Sequence, residues 1–283
     1  MTYQCFKVEI ANQVAHVQLS RPEKRNAMGP DFWRELPEII GDIDDNARAR
    51  VIVISSTGPH FSAGLDLSMF GGNPADLTDE QQQQRQKQQG VTSYHHILHM
   101  QKSFNCLENC RLPVLVAVQG GAFGGGVDLS TACDIRYATE DAFFVIQEIN
   151  IALTADVGTF PRLVKLIPEG IVRELAYTGR RMSAQEAKEA GLVNKVYADH
   201  ESMLQGVMAV AAEIASKAPI AVYGSKRMIN YARDHSTEDA LDYISIWNTS
   251  MMNQGEILEA IQAKNEQRNA EFVDLPKQPK HQA

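Results

Sequence analysis

The run Val114-Leu-Val-Ala-Val118 is apolar at every position and ends in Gly120-Gly121-Ala-Phe-Gly124-Gly125-Gly126, after which Val127, Leu129 and Ala132 follow a helical pattern. A strand with no polar alternation must be covered on both faces, which is the situation of a strand inside a layered α/β structure. Val51-Ile-Val-Ile54 repeats the feature earlier in the chain. Around these two buried strands the pattern alternates. Phe6 to Ala11 and Val14 to Leu19, split by Asn12-Gln13, predict an opening hairpin. Phe32, Leu36, Ile39, Ile40 and Ile43 predict a helix over Pro30 to Asn46, with Pro30 in its first turn. A long polar stretch containing Gln81 to Gln84 and Gln88-Gln89 reads as a solvated helix face ending near Asn109. Further strands are expected near Ile135 to Ala138, Phe143 to Ile146 and Val193 to Tyr197, and helices from Gly158 and Pro168. The expected class is α/β.

From about His200 the pattern becomes purely helical. Met203, Val207, Val210 and Ile214 mark one apolar stripe, and Ala240, Ile244, Trp247 and Met251 mark another behind the capping-type start Ser236-Thr-Glu-Asp239. This divides the chain into residues 1–199 and a helical region, 200–283, with no Pro/Gly/Ser linker between them. A chain of 283 residues with 44 % hydrophobic and 22 % charged residues can bury a large core, which argues against disorder. A formal charge of −8 lacks the basic face that nucleic acid or an anionic membrane demands, so neither is an expected partner. No stretch approaches the roughly 18 apolar residues of a membrane span. The N-terminus carries no export signal, the ending Lys280-His-Gln-Ala283 is not the Ser-Lys-Leu peroxisomal address, and Cys5, Cys106, Cys110 and Cys133 form no CxxC pair. Free thiols in a reducing compartment, by default the cytoplasm and alternatively an organelle matrix, are the expectation.

A glycine-rich turn between a buried strand and a helix exposes N–H groups at the positive helix end, which suits an anion; it equally suits tight packing of helix on strand. Gly124-Gly-Gly126 does not fit G-x-G-x-x-G, and no Walker lysine follows, so a nucleotide phosphate is not the expected anion. Three acids stand in apolar stretches downstream: Asp128 in Gly-Val-Asp-Leu, Glu148 after Ala142-Phe-Phe-Val-Ile146, and Asp156 in Leu-Thr-Ala-Asp-Val-Gly. Burying a carboxylate is costly unless something compensates or uses it. His95 and His99, with Cys106 and Cys110, offer i, i+4 pairs on a helix, but the glutamate of H-E-x-x-H is missing and helix-face packing is preferred to a metal site. No G-x-S-x-G elbow is present.

The segments His16-Val-Gln-Leu-Ser-Arg-Pro-Glu-Lys-Arg-Asn-Ala27, His60-Phe-Ser-Ala-Gly-Leu-Asp-Leu67 and Gly120-Gly-Ala-Phe-Gly-Gly-Gly-Val-Asp-Leu-Ser-Thr-Ala-Cys-Asp134 resemble the crotonase (enoyl-CoA hydratase/isomerase) superfamily. Gly-Gly-Gly-Val-Asp128, Ala142-Phe-Phe, Glu148, Ala155-Asp156-Val-Gly-Thr159, Tyr231-Ala-Arg-Asp-His-Ser236 and Trp247-Asn-Thr-Ser-Met251 look, more narrowly, like its Δ3,5-Δ2,4-dienoyl-CoA isomerase branch. Ordinary hydratases of the family carry Glu at the positions of Asp128 and Glu148 and glycines in place of Asp156. The resemblance implies a ββα-spiral core, a C-terminal helical region that builds homotrimers or homohexamers, and an acyl-CoA substrate of fatty acid β-oxidation, with no cofactor beyond the coenzyme A of that substrate. It implies an oxyanion hole from the N–H groups of Leu65 and Gly125, and substrate contacts from Ala63, Gly64, Leu65, Asp66, Leu67 and Gly125. It makes Asp156 the base at C2, Glu148 the acid at C6 and Asp128 an orienting or charge-setting neighbour; from the residues alone, the first two roles are exchangeable. Arg21, Lys24, Arg25 and Lys226-Arg227 are candidate cations for the coenzyme A phosphates, with solvated surface charge the preferred reading for any single one. A hydratase of the same superfamily is the nearer rival reading, and a non-enzymatic RNA-binding protein of this fold the more distant one.

Overall fold

The computed structural model of the chain describes residues 3–70 and 79–279, with side chains described outside 69–86. The terminal Lys280 to Ala283 lies outside the described residues, as do the side chains of Gln81 to Gln84. Strands β1 (Phe6–Ala11) and β2 (Val14–Leu19) form the expected hairpin, closed by Asn12 and Gln13 at φ of 50° and 63°. Positive φ at both corner residues gives the turn the twist of its flanking strands. From β2 the chain continues in parallel through β3 (Val51–Ser56), β4 (Val114–Val118), β6 (Ile135–Thr139) and β9 (Lys195–Tyr197), completing a six-stranded sheet in the order β1-β2-β3-β4-β6-β9. A smaller sheet joins β5 (Gly121–Phe123), β7 (Phe143–Val145) and β8 (Met182–Ser183).

The unbroken apolar strands are explained by burial on both faces. Val51, Val53, Leu115 and Ala117 meet Met203, Val207 and Ala211 of α7 (His200–Ala215), while Ile52, Ile54, Val114, Val116 and Val118 point into the main core. That core is closed by α1 (Pro30–Asp45), α2 (Asp79–Asn109) and α3 (Gly125–Ala132), with Phe32, Trp33 and Phe104 meeting edge-on and Phe6 tilted against Phe32. The first helix beyond residue 199 is therefore seated on the sheet. Helices α4 (Thr159–Leu163), α5 (Glu169–Thr178) and α6 (Ala184–Ala190) follow the smaller sheet's strands, and α8 (Pro219–Ala232), α9 (Thr237–Met251) and α10 (Gln254–Glu266) complete the C-terminal region. Among the described residues no single helix is long and apolar enough to cross a membrane.

Candidate active site

Two passages of chain far apart in sequence are stitched together at the C-terminal ends of β3 and β4. Ser62 bridges Ala122 in parallel, with Ser62 N donating to Gly121 O at 3.2 Å and Phe123 N to Ser62 O at 3.0 Å. Leu65 bridges Met28, because Met28 N donates to Gly64 O at 2.8 Å and Asp66 N to Met28 O at 3.1 Å. With Gly64 and Asp66 both turned toward Met28, the N–H of the intervening Leu65 points the other way. It donates to no group among the described residues. Gly125 is the first residue of α3, where an amide has no partner within the helix, and its N–H is likewise unpaired among the described residues. The two amides are neighbours: a Cβ on Gly64 would stand 3.3 Å from Gly125 N and 2.6 Å from Phe123 O. Gly64 has a φ of 78°, so both its backbone conformation and the close approach require glycine.

The three acids gather beside this corner at different depths. Glu148 lies in a 3-10 turn over Gln147–Ile151, and its carboxyl covers the start of α3 so closely that a Cβ on Gly124 would meet Oε1 at 2.8 Å. Its Oε2 is buried without a hydrogen-bond partner among the described residues, and burial raises its pKa, with the Asp156 charge adding to the effect. Asp128, in the first turn of α3, is fully buried; Thr159 Oγ1 donates to its Oδ1 at 2.7 Å and Oδ2 has no partner among the described residues. Burial, followed by the nearby Glu148 charge, pushes the Asp128 carboxyl up to about 7. Asp156 precedes α4 and opens to solvent on its side-chain face, while its carbonyl accepts a 2.7 Å hydrogen bond from Gln101 Nε2. Partial desolvation raises the Asp156 carboxyl, and His96 works against that rise.

A cleft of about 1240 Å³ joins these groups. Ala63, Gly64, Leu65, Leu67, Gly125, Glu148 and Asp156 line it, with Trp33, His96, Ile97 and Met100 supplying much of the remaining wall. Of the residues singled out from sequence, Asp66 and Asp128 do not line it. Asp66 turns its carboxyl back to accept from Ser68 N at 3.0 Å, and Asp128 sits beneath the wall. Thr159, Gln101 and Arg162 were not anticipated. Arg162 packs against Gly158, where a Cβ would lie 1.8 Å from Nη1, and bonds Glu108 at 3.1 Å and Asn105 at 2.6 Å, which holds the Asp156–Thr159 turn in place. Of the candidate cations, Arg25 lines the cleft. Lys226 does not serve as one: it is buried, bonded to the carbonyls of Leu107 and Leu112 at 2.8 Å and paired with Asp134 at 3.0 Å. Its charge is used up inside the fold. His95, His96 and His99 are exposed on α2 whereas Cys110 faces the core, so the two i, i+4 pairs do not converge.

Two amides unpaired among the described residues, one of them at a helix start, and a pair of carboxyls raised by burial, all on one cleft, are equipped to stabilise a developing oxyanion and to move protons beside it. Comparison with known proteins agrees: residues 9–276 match the Enoyl-CoA hydratase/isomerase family, and the chain belongs to that family. It is 42 % identical over 280 residues to a Mus musculus protein named Delta(3,5)-Delta(2,4)-dienoyl-CoA isomerase, mitochondrial, covering 97 % of this chain and 84 % of that one. It is 37 % identical over 274 residues to an Arabidopsis thaliana protein of the same name but designated peroxisomal, covering 97 % of this chain and 98 % of that one. Among solved structures it is similar to an enoyl-CoA hydratase from Bacillus anthracis, with 31 % identity and a TM-score of 0.83 over 95 % of this chain and 99 % of that one. These relatives correct the cytoplasmic expectation, since they are named for mitochondria and peroxisomes. The four cysteines are free, as expected, but free thiols report a reducing compartment without saying which.

Proposed function

We propose that this chain converts 3,5-dienoyl-CoA thioesters to 2,4-dienoyl-CoA, and that Glu148 and Asp156 are its proton-transfer pair. The observation that carries the reading is that these two carboxyls share one cleft with the unpaired Leu65 and Gly125 amides, while a third acid, Asp128, is buried against the first. The thioester oxygen sits between the two amides, each contributing about 3–4 kcal/mol to the developing enolate. Ionised Asp156 removes a proton from C2, and the electron pair spreads through the conjugated chain as a dienolate. Glu148, whose burial favours the protonated form and whose Oε2 has no partner among the described residues, delivers a proton at C6. Asp128 adjusts the charge beside Glu148, because three carboxyls in so small a volume cannot all ionise cheaply. Ala63, Gly64 and Leu67 flank the thioester, and Asp66 holds the loop that carries them. The reaction is redox-neutral proton movement, so the coenzyme A of the substrate suffices as carrier.

Residues 1–199 form the catalytic unit in this reading and 200–283 the helical region. With α7 on the sheet, α8 to α10 remain for self-association into trimers or hexamers, and Leu241, Ile246, Met252, Leu258 and Ile261 are exposed apolar residues suited to it.

The test begins with appearance of the conjugated 2,4-dienoyl absorbance when the protein is given a 3,5-dienoyl-CoA; a 2-enoyl-CoA consumed by hydration instead would favour the hydratase. Roles are then assigned with Glu148→Gln. If Glu148 is the acid at C6, solvent deuterium still enters C2, as read by NMR, while the product fails to form. Loss of exchange in a folded variant that binds substrate would make Glu148 the base.

A further inference from the structure

His60 closes the ladder that holds the two unpaired amides together, and it does so with its ring in place of its backbone. Beside the Ser62 to Ala122 bridge, the next hydrogen bond of a parallel ladder would run from Gly121 N to His60 O. That carbonyl is taken by Asn26 Nδ2 at 3.1 Å, and Gly121 N donates instead to His60 Nδ1 at 3.0 Å. The corner cannot shift to find another acceptor. Gly120 has a φ of 55°, and a Cβ there would lie 2.0 Å from Pro59 O and 2.9 Å from His60 Nδ1. Phe123 and Phe143 meet the ring edge-on, with centroids at 6.1 Å and 6.3 Å.

We propose that His60 is a positioning residue for catalysis: as a neutral imidazole with its proton on Nε2, it accepts the Gly121 N–H and sets the Leu65 passage against the Gly125 passage, and its protonation uncouples them. This rests on the reading of those two amides as oxyanion donors. The chemistry is forced by the donor, because a backbone N–H can bond only to a nitrogen bearing a lone pair. A protonated ring would present a second N–H to the first, and the Gly121 amide would be left without a partner in a buried corner. The charged and titratable groups that line the same cleft as the ring are Arg25, His96, Glu148 and Asp156, and Arg181 stacks 4.2 Å over the Phe143 ring. Among the described residues none forms an ion pair with His60. A displacement of under an ångström between two oxyanion donors is enough to depress turnover strongly.

The experiment uses the whole chain with 15N-labelled histidine. In the wild type, the His60 nitrogen shifts should report a neutral ring protonated at Nε2, and the Gly121 amide should be protected from exchange above the titration of the ring and lose that protection below it. His60→Leu, checked for folding by circular dichroism and thermal melting, should lower kcat for a 3,5-dienoyl-CoA about tenfold or more at every pH, with a smaller change in KM. His60→Asn places an amide oxygen where Nδ1 stood. It should recover much of that loss and should lack the ring's share of the acid limb, leaving only the limb due to the carboxyls. A proton found on Nδ1, a His60→Leu protein with wild-type kcat, or His60→Asn with an unaltered acid limb would each overturn the proposal. A wild type that shows the expected ring tautomer and amide protection yet fails to isomerise the dienoyl substrate would instead overturn the functional reading and leave the positioning role of His60 standing.

Discussion

Replacing Asp128 by Asn should stabilise the folded chain far more at pH 8 than at pH 5. The carboxyl is fully buried, with Thr159 donating to one oxygen at 2.7 Å and no partner for the other among the described residues. Burial and then the Glu148 charge raise its pKa from 3.8 to about 7, so the folded chain holds this proton more tightly than the unfolded chain does. Folding therefore takes up a proton between about pH 4 and pH 7. The stabilisation is fully present below that window and is lost as the pH rises through it. At about 1.36 kcal/mol per pH unit of the interval, the loss between pH 5 and pH 8 is about 2.5 kcal/mol. Asparagine keeps the acceptor for Thr159 and never ionises. Its unpartnered NH₂ costs the same at both pH values and cancels in the comparison. Urea unfolding of wild type and Asp128→Asn, at one protein concentration because subunit association adds to apparent stability, gives the two differences directly. A difference between variant and wild type that stays the same at pH 5 and pH 8 would refute the argument, since the carboxyl would then not be bearing an unpaid charge in the folded state.

Asp156→Asn should reduce isomerisation by several orders of magnitude, because the amide keeps the shape and loses the proton acceptor, while calorimetric affinity for the acyl-CoA changes little. Gly64→Ala should lower turnover at least a hundredfold in a folded protein. Its φ of 78° disfavours a side chain, and the added Cβ would lie 2.6 Å from the Phe123 carbonyl, which moves the Leu65 amide off its position beside Gly125. A variant with near-normal kcat would show that the spacing of the two amides does not matter.

Much of the scaffold could be read along the chain. The hairpin, the two apolar strands and the helix over Pro30–Asp45 announce themselves because each is set by a local period and by residues whose burial is two-sided or one-striped. Strand β5 escaped because Gly121-Ala-Phe has no strand-forming pattern; it is extended because Phe143–Val145 and Ser62 pair with it. Strand β8 was missed as well, since its two residues are extended by pairing with β7. Helix α6 was missed although its signals are present: Ser183 accepts from Glu186 N and Gly191 closes it in a left-handed conformation.

The candidate site divides along the same line. Local pattern singled out the glycine turn and the acids Asp128, Glu148 and Asp156, because acids and glycines in apolar surroundings stand out locally, whereas the Ala63–Leu67 segment entered only through the family resemblance. It could not say that Gly64 packs on Gly125, that Asp128 lies beneath the cleft instead of in it, that Thr159 satisfies one of its oxygens, or that the His60 ring bonds the Gly121 amide. Each of those is a meeting of residues distant along the chain. Which oxygen is buried and which amide is unpaired follow from how the strands and α3 pack, and no local period in the sequence records that packing.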